Sequence, residues 1–155
     1  TPPPPTDTPE PTLTPTPGPA QSFAEYKAIW DSVAQLPPGS AFSVSLSEPA
    51  LAESILHMLE VYDRQGAATT LEATISDGQI GLAYAGSWPG QSATIIPELT
   101  DDAAISIGGS APFELFTIML DVLQGRLDGS RTAPPYTFTG VTCSDGLVTI
   151  TGTAQ

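Results

Sequence analysis

One histidine, one cysteine and four cationic side chains are what this chain of 155 residues offers to most enzyme chemistry. His57 lies between Leu56 and Met58 in a helical pattern, about a quarter turn from its apolar stripe. No second histidine stands at metal-pair spacing, and HExxH and Cys/His spacings are missing. A general base would also need a nucleophile and an orienting acid within reach. His57 is therefore read as solvated or packed on its helix. Cys143 falls at a core-facing position of a predicted hairpin, where a thiol behaves as a small hydrophobe. A reactive thiolate needs an electropositive setting, which so few cations do not supply. GxSxG, SxxK, GxxxxGK(S/T) and GxGxxG patterns are absent. Gly108-Gly109-Ser110 precede a predicted helix whose free N–H groups could seat an anion. With Pro112 and Phe113 next and no Lys or Arg nearby, an ordinary helix start is expected there. The carboxylates Asp77, Glu98, Asp101, Asp102 and Asp145 gather at predicted strand ends, but a calcium loop needs a run of ligands such as DxDxDG, and none occurs. Glu48 and Glu53 read as solvent-facing or helix-dipole charges. The expectation is no catalytic residue, no metal and no cofactor.

Charge excludes further classes. Asp and Glu number 17 against 4 Lys and Arg (Lys27, Arg64, Arg126, Arg131), a net charge of −13. Such a chain repels phosphate backbones and has no basic stripe to release counterions, so nucleic acid is not an expected partner. The same field opposes adsorption to an anionic membrane surface. A single cysteine forms no internal disulfide, and without Asn there is no N-glycosylation sequon. No apolar run approaches the roughly 18 residues of a membrane span.

The elements that must position these residues begin after a stalk. Residues 1–20, TPPPPTDTPEPTLTPTPGPA, hold nine Pro and six Thr and almost nothing apolar. Such a segment buries too little surface to order itself and favours polyproline II, a spacer of roughly 60 Å. Thr1 reads as the start of a trimmed chain, with a targeting segment or a lipid-modified Cys upstream. The expected location is extracytoplasmic, with a membrane anchor through a lipidated N-terminus.

Residues 21–155 read as a single α+β domain. Ser22 caps a first helix, Glu25 completes a capping box, and Phe23, Tyr26, Ile29, Trp30 and Val33 share a face. A short strand follows with Phe42, Val44 and Leu46 on one side. Ser47 caps a second helix whose stripe is Leu51, Ile55, Met58 or Leu59, and Tyr62, closed by Gly66. LEATI-SDG-QIGLAY is a hairpin turned at Asp77-Gly78. ATIIPEL and AAISIG make two more strands, with Pro97 pointing to an edge or a bulge. A third helix, PFELFTIMLDVLQGRL, starts behind Ser110 and ends at Gly129. It is apolar nearly all round, with only Glu114, Thr117, Asp121 and Gln124 in a polar line, so most of its circumference must be covered. YTFTGVTC-SDG-LVTITG closes the chain as a hairpin, and residues 141–150 align with 73–82, repeating one good hairpin. The order α-β-α-ββ-ββ-α-ββ implies a curved antiparallel sheet of about six or seven strands packed with about three helices.

FSVSLSEPALAESILHMLE, PFELFTIMLDVLQGRL and VTCSDGLVTITG together resemble a pattern of small bacterial envelope lipoproteins, similar to the tubular lipid-binding (TULIP-like) superfamily with its LmeA-like phospholipid-binding proteins. The resemblance covers about 110 residues, carried most sharply by Ser47-Glu48 and the two Ser-Asp-Gly turns. It implies a long helix cradled by a curved sheet, with an apolar groove for an acyl chain and no catalysis. The function expected is a binding domain for lipid or another apolar ligand, in a groove lined by Leu115, Phe116, Met119 and Leu123. The alternative is a module that presents its acidic face to a partner protein, with an exposed aromatic patch around Trp88.

Overall fold

The computed structural model describes residues 18–128 and 135–155; Gly129, Arg131 and residues 1–17 lie outside them. Three helices and seven strands make an α+β fold in the order expected. Helix α1 (Phe23–Val33) is followed by β1 (Ala41–Ser47) and α2 (Glu48–Val61). Strands β2 (Thr70–Ser76), β3 (Gln79–Ala85), β4 (Ser92–Leu99) and β5 (Ile105–Ser110) come next. Helix α3 (Phe113–Leu123), β6 (Tyr136–Ser144) and β7 (Leu147–Ala154) complete the chain. The strands form two antiparallel sheets, one of three strands in the order β1-β7-β6 and one of four in the order β2-β3-β4-β5.

The two sheets meet end-on. Strand β6 runs across the turn end of the four-stranded sheet, where Phe138 N donates to Ala103 O at 3.0 Å and Cys143 O accepts from Gly78 N at 2.9 Å. The two Ser-Asp-Gly hairpins dock on each other reciprocally, because Gly146 N in turn donates to Ile75 O at 3.2 Å. Ile75 and Cys143 are the equivalent positions of the aligned hairpins, so repeated sequence has become a local pseudo-two-fold contact. Glu48, read as a solvent-facing or dipole charge, holds the junction: its carboxylate accepts from Ile75 N at 2.7 Å.

Domain and element edges differ from expectation in several places. Ala20, counted with the stalk, is 1% exposed and adds a parallel bridge to β1, with Ala20 N to Ser45 O and Ser47 N to Ala20 O both at 2.9 Å. That bridge covers the outer edge of β1 as β6 is covered on its own side, which guards both edges of the three-stranded sheet. Pro97 lies in an inner strand, but two residues past Ile95, where pairing of β4 with β3 stops; no ladder bond is lost there. Gly108-Gly109-Ser110 belong to β5, where a side chain on Gly109 would meet Thr94 O, and α3 starts at Pro112 without a side-chain cap. Helix α3 ends at Leu123, well before Gly129.

That end has a local cause. Gly125 takes φ 75°, its N–H donates to Val122 O at 3.2 Å, and Arg126 N donates to Asp121 O at 2.8 Å. This is the Schellman pattern, which terminates a helix at a left-handed residue. A side chain at Gly125 would also collide with the ring of Trp30, 2.4 Å away. Trp30 fills that seat within an aromatic cluster, 5.7 Å from Phe42 and 5.5 Å from Tyr136. Helix α2 ends in the same way: Asp63, at φ 56°, donates to Glu60 O at 3.0 Å and Arg64 N donates to Leu59 O at 2.7 Å. Gly66 falls instead in a following 3-10 turn. Val44, Leu46, Leu51, Ile55, Met58, Leu59, Ile80, Ile95, Leu115, Ile118 and Met119 are fully buried in one core between the sheets and helices.

Candidate functional site

The polar line of α3 faces the C-terminal end of α2. Two residues that the α2 terminus fixes in place reach it. Tyr62, the C-cap, donates its hydroxyl to Asp121 Oδ2. Arg64, held by the left-handed turn at Asp63, donates its Nε–H to both Glu114 oxygens at 3.3 and 3.1 Å. The end of α3 supplies a third partner, Arg126, whose Nη2 lies 3.1 Å from Asp121 Oδ1. Asp121 is 4% exposed, so its charge is compensated by an arginine and a phenol at once. Gln124, the last of the line, is buried as well. At Asp121 and Gln124 the polar line of this apolar helix is an internal seam, whereas Thr117 is exposed and Glu114 part-exposed.

At the outer end of this seam lies a cavity of about 300 Å³ lined by Tyr62, Arg64, Phe113, Glu114, Thr117 and Ile118. The ring of Tyr62 gives it an apolar wall, and Ile118 lies fully buried beneath it. Phe113 stands at its rim with 87% of its surface exposed, far more than any other large hydrophobic side chain among the described residues. Glu114 in the first turn of α3 faces Arg64 across the mouth, and both are part-exposed. The four residues expected to line a groove are placed elsewhere on the same helix. Leu115, Met119 and Leu123 have no exposure and Phe116 is half-buried against the core; none of the four lines this cavity. The side of α3 that faces the cavity is legible in sequence only as the neighbourhood of the polar line.

The other singled-out residues make contacts within the fold. His57 stacks on Phe23 of α1 at 3.9 Å between ring centroids, which ties α2 to α1. Glu53, also read as a solvent-facing or dipole charge, accepts from Phe23 N at 3.0 Å and caps α1 from a neighbouring helix. Glu25 reaches back to Gln21 N at 2.6 Å, one residue beyond the cap expected for it, while Ser22 Oγ accepts from Glu25 N at 3.2 Å. Trp88 is 5% exposed and packs edge-on against Tyr84, so the exposed aromatic of this protein is Phe113. Cys143 is buried, and burial pushes its thiol up to about 11. Burial also raises Tyr26, whose hydroxyl donates to Val122 O at 2.6 Å, together with Tyr84 and Tyr136. No group of three or more His, Cys, Asp or Glu among the described residues could hold a metal ion. No helix among them is long and apolar enough to cross a membrane. Comparison with family models, with curated proteins and with solved structures finds no match to this chain.

Proposed function

We propose that this chain is a non-catalytic, extracytoplasmic binding domain on a Pro/Thr-rich spacer, and that it takes an apolar ligand in the cavity between the end of α2 and the start of α3. The observation that carries this reading is Phe113. Covering a phenyl ring is worth roughly 1.5–3 kcal/mol, and this one is left in water beside an apolar hollow. A ligand that seats against Tyr62 and Phe113 recovers that burial. The cavity lies at the small end of the range for small-molecule sites, which suits one acyl or aryl group better than a whole lipid. The walls are held before any ligand arrives, by Tyr62 on Asp121 and by Arg64 on Glu114, which keeps the ordering cost of binding low. The spacer and a lipidated N-terminus would hold this site away from the membrane to which it is tethered. Native mass spectrometry of the protein purified from its own host tests the reading: co-purifying apolar species are expected on the wild type and not on Phe113→Ser. Ligand-free spectra for both, with no uptake of added apolar compounds, would overturn it.

A further inference from the structure

Four cations serve a chain of net charge −13, and among the described residues Arg64 is the one placed at the cavity. Lys27 pairs with Asp31 on the exposed face of α1, and Arg126 is committed to the seam at Asp121. A solubilising role explains Arg64 poorly, because it reduces the net charge. A stability role explains it poorly too, since a part-exposed ion pair contributes little. Its geometry is also incomplete as an ion pair. A guanidinium grips a carboxylate best through two parallel N–H groups, whereas here a single Nε–H is shared between both Glu114 oxygens. No described residue accepts from the two terminal amino groups, whose four N–H donors are left for water or a ligand.

We propose that Arg64 is the head-group anchor of this cavity, and that the ligand is a small organic carboxylate: an apolar body on Phe113 and Tyr62, with its anionic end on the terminal amino groups of Arg64. The inference rests on the cavity being a ligand site and adds the chemical class of the ligand. Size supports it, since about 300 Å³ corresponds to roughly ten water volumes and so to a ligand of about ten heavy atoms. Glu114 acts as the resident counter-ion of the empty site. It sits in the first turn of α3, where the helix dipole favours a negative charge, so it is not stranded when the ligand carboxylate shares or takes over Arg64. The backbone of Arg64 is in turn held at the mouth of the cavity, because its N–H donates to Leu59 O in the turn that ends α2.

Titration calorimetry of the full chain at low salt with octanoate, 1-octanol and octylamine tests this. These three probes share a body and differ in head-group charge. Octanoate is expected to bind about 5- to 10-fold tighter than octanol, with octylamine weakest. Arg64→Gln should remove the advantage of octanoate and leave octanol unchanged, and Arg64→Lys should restore only part of it. Glu114→Gln, which removes the competing carboxylate, should strengthen octanoate several-fold. Equal binding of octanoate and octanol would sink the anchor while leaving the apolar site standing. Octylamine binding best would overturn the anchor in favour of Glu114 as the recognising group. Failure of all three probes would remove the apolar site itself and the anchor with it.

Discussion

Asp63 adopts a left-handed backbone that costs an ordinary L-residue roughly 1–2 kcal/mol, and that conformation aims Arg64 at the cavity. Asp pays less than most residues there, because its short side chain suits this region. A β-branched residue cannot adopt it without strain, so Asp63→Val should lower stability by about 1 kcal/mol or more in urea titrations, while Asp63→Gly should not. At the rim, Phe113→Ser should abolish apolar binding and shift the thermal midpoint by no more than a degree or so, because an exposed ring contributes little to folding. Cys143 makes a pH prediction. Its folded value of about 11 lies above the ordinary 9.0, so the fold prefers the protonated thiol, and stability is lost as pH rises from about 9 toward 11. Tyr26, Tyr84 and Tyr136, raised from 10.0 by burial, extend the same loss upward. Denaturant titrations from pH 7 to 10 should show this decline, and Cys143→Ala should flatten its onset near pH 9. A steepening in that variant would contradict the assignment.

At the scale of elements, local patterns carry the fold and long-range contacts carry the site. Helix caps at Ser22 and Ser47, the Asp77-Gly78 and Asp145-Gly146 turns and the alternation along each strand are short-range signals, and every element they indicate forms. The polar line of α3 is equally visible in sequence, but its partners come from residues 62 and 64, some fifty to sixty positions away, and nothing local points to them. For the same reason Leu115, Met119 and Leu123 are recognisable as apolar without any sign that they face a filled core. The sequence pattern points to Gly129 as the end of α3, but the helix stops at Leu123. Gly125 takes the left-handed position because Trp30, from α1, needs the space that a side chain there would fill. Gly125→Ala should therefore cost more than the roughly 1 kcal/mol of a lost C-terminal glycine, about 2 kcal/mol or more once Trp30 is displaced. A loss limited to a few tenths of a kcal/mol in chemical denaturation would show that Trp30 does not depend on this seat.

At the scale of the whole molecule the fold takes in Ala20, and truncation tests where it begins. Removing residues 1–18 should leave the thermal midpoint unchanged, since that stretch offers almost nothing to bury. Removing residues 1–20 should lower it by several degrees, because Ala20 and its two backbone bonds to β1 go with it. The cavity at Phe113 combines apolar walls with the part-exposed cation of Arg64. Backbone amide NMR of the full chain, titrated with octanoate, tests that combination most directly. Shifts should concentrate at residues 62–64 and 113–118 and be lost in Phe113→Ser, whereas shifts scattered over the surface, or absent at saturating probe, would contradict a ligand site between α2 and α3.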